Sequence, residues 1–136
     1  TDAEFALEHI LELFEEVEEI DIYGATGRRL DHFFGNILLL NNKKYHHIKI
    51  RIIDDNNIIT VAKKGENIFS AKKGYKYFSI IPIFQDTKMT IKNSKYEAEN
   101  LLLTLDRPNA TSNEFCENKD IKLEVSKNVL VIYSKD

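Results

Sequence analysis

From residue 2 to residue 18 apolar positions recur at helical spacing: Ala3, Ala6, Leu7, Ile10, Leu11, Phe14 and Val17 share one face, and glutamates cover the other. This predicts an amphipathic helix over 2–18. Thr1 and Glu4 have the spacing of a capping box, and Asp2 is a second candidate cap. Ile20–Tyr23 is a short apolar run that reads as a strand, and Gly24–Gly27 reads as a turn. Helical spacing returns from Arg29 to about Leu40, with Leu30, Phe33, Phe34, Ile37 and Leu38 apolar, and Asn41-Asn42 ends it.

Beyond Lys44 the period changes from helical to alternating. Strands are expected over 46–53, 57–63, 67–72, 76–84, 88–92, 101–105, 121–125 and 129–133. Asp54-Asp55-Asn56-Asn57 reads as a hairpin turn, Ser126-Lys127-Asn128 as the last hairpin, and Pro82 marks an edge or a bulge. Many short strands joined by polar turns indicate an all-β antiparallel sandwich or barrel. The expected organisation is therefore an α/β remnant over 1–44 followed by a β domain over 45–136. The strand near 20–23 has bare edges within its own layer, so partners from residues upstream of Thr1 are expected.

Composition narrows the function classes. Of 136 residues, 43% are hydrophobic and 30% charged, which are globular values. No apolar run approaches the roughly 20 residues a bilayer span requires, and no secretory leader pattern opens the chain, so no membrane association is expected. A single cysteine, Cys116, excludes an internal disulfide and fits a reducing cytoplasm. Residues 1–23 hold nine acids and no Lys or Arg. The remainder holds 13 acids and 19 bases, a local net charge of +6. The lysines are scattered as pairs (Lys43-Lys44, Lys63-Lys64, Lys72-Lys73) rather than gathered in one stripe, which argues against nucleic acid as a partner.

The chemistry concentrates in Ile22-Tyr-Gly-Ala-Thr-Gly-Arg-Arg-Leu-Asp-His32. A strand, a tight turn and a helix start make an anion pocket, because the first backbone N–H groups of a helix are unpaired and the helix dipole adds partial positive charge. Arginines there suit phosphate oxygens. Asp31 has no place in a simple anion site, so a cation bound with the phosphate is indicated. Plain readings stand beside these: Asp2 as a helix cap, Arg29 and Asp31 as a surface ion pair, His32 as a packed or capping histidine, and Ser112 and Asn113 as turn residues. His46 and His47 fall on opposite faces of the expected strand and cannot ligate one metal together. Asp54-Asp55 is expected only to make its turn. No zinc spacing, nucleophile elbow or Walker A pattern is present.

Thr1-Asp2 opening a helix, Gly24-Ala-Thr-Gly-Arg-Arg-Leu-Asp-His32, Asn36 with Leu38-Leu39, and Ser112-Asn-Glu-Phe115 resemble, in order and spacing, the thiamine pyrophosphokinases. The resemblance covers the whole chain. It implies that residues 1–44 are the C-terminal part of a Rossmann-like α/β catalytic domain, and that residues 45–136 are a β-sandwich that binds thiamine. It also implies a homodimer with the active site shared between subunits. Two features depart from the family pattern. Arg28 stands where the family usually has Gly, which requires a turn conformation open to other residues. The family's Gly-Asp-x-Asp-Ser motif, whose aspartates help to hold Mg²⁺, would lie upstream of Thr1 and is absent, so this segment alone is expected to be catalytically incomplete.

The implied reaction is pyrophosphoryl transfer from ATP to thiamine, giving thiamine diphosphate and AMP. By resemblance Asp2 is a Mg²⁺ or water ligand and Arg29 binds phosphate. Asp31 orients Arg29, meets metal through water, or contacts nucleotide. Gly24 and Gly27 let the backbone approach the nucleotide, with Thr1 and Asn36 nearby, and Ser112 and Asn113 face the thiamine pyrimidine. The competing expectation is a non-enzymatic β-domain module for ligand binding or dimerisation, with a degenerate α/β piece; an upstream aspartate motif discriminates the two.

Overall fold

The computed structural model describes residues 1–136, which divide into two compact units, Thr1–Thr60 and Val61–Asp136. In the first, α1 (Asp2–Leu13) is capped as its sequence predicts: the Thr1 hydroxyl accepts from the Glu4 N–H and Glu4 reaches back to the Thr1 backbone. The helix stops five residues short of the expected end, with Phe14 already extended. Glu12, Glu15 and Glu16 crowd the negative end of the helix dipole, and no basic residue sits in the last turn to offset them.

β1 (Glu19–Tyr23) runs into α2 (Leu30–Leu40), a short 3₁₀ turn (Lys43–Tyr45) and then β2 (Lys49–Ile53). β1 and β2 pair in parallel, Ile20 beside Ile50 and Ile22 beside Ile52, so the segment is a β–α–β crossover. Asp21 and Arg51 sit opposite one another in that register and form a two-pronged ion pair at 2.8 Å on both arms. The strand begins at Lys49 rather than residue 46, because His46 and His47 belong to the turn that follows the 3₁₀ segment. Tyr45 is buried, and its hydroxyl donates to Glu8 of α1 at 2.7 Å. Burial and that carboxylate push its pKa up to about 12. β3 (Asn57–Ala62) returns antiparallel to β2, as the hairpin turn at 54–57 predicts.

α2 buries Asn36, Leu39 and Leu40. Leu30, Phe34 and Leu38, three of the apolar positions that predict the helix, are 62–71% exposed. They repeat every fourth residue and form one stripe, while the buried stripe is rotated from it around the helix.

In the second unit β4 (Gly65–Phe69), β9 (Ile121–Val125), β6 (Thr87–Lys92) and β7 (Ala98–Leu103) form one antiparallel sheet in the order β4-β9-β6-β7. β10 (Val129–Ser134), β5 (Tyr77–Pro82) and the two-residue β8 (Asn113–Glu114) pair antiparallel as a second layer. Strict alternation buries Ile121, Leu123 and Val125 of β9 and Met89 and Ile91 of β6. The layers meet through rings: Phe69 of β4 lies 5.3 Å from Phe78 of β5 and 6.3 Å from Tyr133 of β10. This is the face-to-face packing of an antiparallel sandwich.

Two expectations of pairing fail. Ser126–Asn128 does not close a hairpin; β9 and β10 lie in different layers, and the turn carries the chain between them. Asn128 there accepts from the Lys64 N–H, and Ser126 accepts from the Lys88 N–H. β7 begins three residues before the expected Leu101, because a bulge around Asn100 (φ 51°) shifts its register against β6 and keeps both ends paired. The molecule is therefore mostly β-sheet with two helices.

Candidate functional site

The starts of α1 and α2 converge on one cleft of about 590 Å³ in the first unit. The start of α1 also lies close against the middle of α2: a Cβ added to Gly35 would meet the Thr1 methyl at 3.4 Å. The cleft is lined by Thr1 and Asp2 from α1, Gly24 and Gly27 from the turn after β1, and Arg28, Arg29, His32 and Asn36 from the start of α2. Six of the residues singled out in the sequence therefore share one wall. His32, read as packed or capping, is exposed and faces the cleft.

Gly24 adopts φ +75°, where a side chain is strained. Gly27 has an ordinary φ, and nothing lies within 4 Å of where its Cβ would stand, so its contribution is an open floor rather than conformational freedom. Arg28 also has an ordinary φ, which satisfies the requirement its side chain places on the turn. The turn is braced from outside. The Thr26 hydroxyl donates to Asp54 at 2.7 Å, and Asp54 also accepts from the backbone N–H groups of Asn56 and Asn57. Burial pushes the Asp54 carboxyl up, but these donors outweigh it and hold it below the usual carboxylate range. Asp54 thus does more than make its hairpin turn, and nothing in the local sequence signals a partner 28 residues away.

At the start of α2, Arg29 stands at the cap position but makes no side-chain capping bond; the Asp31 carboxylate instead meets the backbone N–H groups of Asp31 and His32 in the first turn. Arg29 donates through Nη2 to Asp31 Oδ2 at 2.7 Å and through Nε to Oδ1 at 3.3 Å. The guanidinium holds the Asp31 carboxyl below its ordinary range. Asp31 reaches the site through this pair and does not line the cleft itself. Asn36 is buried; its amide donates to the Ala25 carbonyl at 3.1 Å, and its Oδ1 has no partner. A buried amide oxygen without a donor is costly, and a ligand hydroxyl or amine in the cleft would satisfy it.

Asp2 is the one carboxylate lining the cleft. Magnesium is commonly held by one or two carboxylates together with phosphate oxygens and water. The donor type therefore fits, with a phosphorylated ligand supplying the remainder.

Ser112 and Asn113 lie in the second unit, just before and within β8. Ser112 holds a left-handed backbone (φ 60°), with its N–H bonded to the Ser79 hydroxyl at 2.9 Å. Asn113 is buried, and its amide is occupied. Its Oδ1 accepts from the Tyr96 and Glu114 N–H groups at 3.0 and 2.9 Å, and its Nδ2 donates to the Tyr96 carbonyl at 2.8 Å and to Ser94 Oγ at 3.2 Å. Asn113 thus ties the 94–96 loop to the strand that carries Ser112. No local spacing signals this long-range network.

Two helix starts, arginines and a carboxylate around one open turn define a module suited to a phosphorylated ligand. Comparison with known proteins specifies it further. Residues 57–130 match the family model described as thiamin pyrophosphokinase, vitamin B1 binding domain. The chain is 35% identical over 133 residues to the thiamine pyrophosphokinase of Bacillus subtilis (strain 168), covering 97% of this chain and 61% of that protein. It superposes on the crystal structure of thiamine pyrophosphokinase from Bacillus subtilis with a TM-score of 0.90, covering 100% of this chain and 63% of that one at 35% identity. For thiamin pyrophosphokinase from Geobacillus thermodenitrificans the TM-score is 0.86, over 100% and 62% at 33% identity. The chain belongs to the thiamin pyrophosphokinase family. It spans 61% of the length of the curated relative.

Proposed function

We propose that the intact protein transfers a pyrophosphoryl group from ATP to thiamine. The observation that carries this reading is the match of residues 57–130 to the vitamin-binding domain of the family. The cleft in the first unit, with chemistry suited to phosphate, supports it. The hydroxyethyl oxygen of thiamine attacks the β-phosphorus of ATP, and a new O–P bond forms as the bond from that phosphorus to the AMP oxygen breaks. The hydroxyl proton passes to water, leaving thiamine diphosphate and AMP. Such a transfer needs positioning and charge stabilisation more than covalent help from the protein.

In this reading the cleft holds the nucleotide. Gly24 and Gly27 give the phosphates close access to backbone, Thr1 flanks them, and Arg29 binds a phosphate oxygen while Asp31 fixes its orientation. Asn36 accepts from a nucleotide hydroxyl or amine through its unpartnered Oδ1. Asp2 would hold Mg²⁺, which when bound neutralises phosphate charge. Ser112 meets the thiamine pyrimidine, held at a left-handed backbone, and Asn113 positions the loop beside it.

Residues 1–44, which carry α1, β1 and α2, then belong to an α/β nucleotide-binding domain and 45–136 to the vitamin-binding sandwich; β2 (Lys49–Ile53), the parallel partner of β1, falls on the sandwich side of that boundary. We further propose a homodimer with the site shared between subunits, and a cytoplasmic location, which suits the free thiol of Cys116. No helix is long and apolar enough to cross a membrane.

Isothermal titration of the protein with thiamine in the presence of Mg²⁺ and a non-hydrolysable ATP analogue tests the substrate assignment. Saturable binding of both supports it; failure to bind thiamine under these conditions removes it.

A further inference from the structure

We infer that Arg28 is the guanidinium that sets the affinity of the cleft for the polyphosphate tail of a nucleotide, with Arg29 acting beside it as half of an ion pair. The inference rests on the reading that a nucleoside triphosphate occupies this cleft. Arg29 already spends its Nε–Nη2 edge on Asp31, and a full negative charge matches its own. Only its end-on edge remains for a phosphate, and the pair adds little net field.

Arg28, the adjacent residue, lines the same cleft and carries no such carboxylate partner. Once Arg29 is matched by Asp31, the charged side chains left on the cleft wall are Asp2 and Arg28. They oppose each other. Where Asp2 holds Mg²⁺, Arg28 is the unmatched side-chain charge left on the wall to face the anion. Nothing beyond its chain neighbours lies within 4 Å of where a Gly27 Cβ would stand, so the floor beside Arg28 is open. Arg28 therefore acts on ground-state binding of the nucleotide rather than on thiamine.

An exposed guanidinium–phosphate contact is partly screened by solvent, so the expected loss is about tenfold in affinity. The test compares the wild-type protein with Arg28→Gly and Arg28→Lys. Turnover is measured against Mg²⁺–ATP and against thiamine, and inorganic tripolyphosphate binding is followed by isothermal titration. Circular dichroism melting confirms that each variant folds. The expected result for Arg28→Gly is a KM for ATP and a tripolyphosphate Kd both raised about tenfold, with kcat and the thiamine KM changing much less; Arg28→Lys recovers most of the loss. Normal turnover with a KM for ATP indifferent to Arg28 overturns the inference and leaves the enzymatic reading intact. Tripolyphosphate binding that depends on Arg28, in a protein that does not convert thiamine, overturns that reading while upholding the role of Arg28 at the cleft. Tripolyphosphate binding that is absent, or the same in all three proteins, overturns the inference.

Discussion

Truncating Asn113 to alanine should unlock the 94–96 loop from the segment that carries Ser112. The side chain is 7% exposed and makes four hydrogen bonds, two as acceptor from the Tyr96 and Glu114 N–H groups and two as donor to Tyr96 and Ser94. The Tyr96 carbonyl keeps a partner after truncation, because Ser94 Oγ also donates to it at 3.1 Å. The two N–H groups lose the side-chain acceptor they share. Each deprived donor costs about 1–3 kcal/mol when buried and less where water can enter, so Asn113→Ala should lose about 2–4 kcal/mol. Asn113→Asp keeps both acceptor roles but turns a carboxylate oxygen towards the Tyr96 carbonyl, and should cost about 1–3 kcal/mol. Urea unfolding followed by far-ultraviolet circular dichroism measures the total, and amide exchange at Tyr96 and Glu114 reports where the loss falls. A change below about 0.5 kcal/mol with unchanged exchange would refute the claim that this amide holds the loop.

The two glycines of the cleft should behave differently. Gly24→Ala is expected to cost about 1–2 kcal/mol through left-handed strain alone, whereas Gly27→Ala should leave stability within about 0.5 kcal/mol and instead weaken nucleotide binding; thermal melts and nucleotide titration separate these effects. Asp54 has a folded pKa below its unfolded value, so its stabilisation is fully present above the unfolded pKa and disappears as pH falls through the folded one. Stability measured from pH 6 down to pH 2 should fall more gently in Asp54→Asn than in wild type below about pH 4, and parallel curves would contradict the brace. Tyr45→Phe removes the hydroxyl bond to Glu8 from a buried ring and should cost about 1 kcal/mol by urea unfolding.

Much of this molecule was legible in the chain because its signals are local. The Thr1–Glu4 capping box, the strand before Gly24, the period change after Lys44 and the turn at 54–57 depend on neighbours a few residues apart, and all appear in the structure. What stayed hidden depends on distant partners. Helical period placed an apolar face on α2 but did not show that Leu30, Phe34 and Leu38 would be the exposed part of it. Ser126–Asn128 has hairpin composition, yet the direction of the next strand is set by the sandwich. Thr26 with Asp54, and Asn113 with Ser94 and Tyr96, pair residues that no spacing rule connects. Gly24, Gly27 and Arg29 were found because a strand–turn–helix junction concentrates anion-binding groups within a dozen positions, whereas Thr1, Asp2 and Asn36 lie outside it and were pointed to by the family resemblance alone.

Pyrophosphoryl transfer is a specific bond rearrangement, and following the β-phosphate reads it out. The protein would be incubated with thiamine, Mg²⁺ and ATP labelled at the β-phosphorus, and the products separated. The expected result is label in thiamine diphosphate, with one AMP released for each one formed. ADP as the nucleotide product, or AMP released without labelled thiamine diphosphate, would contradict it.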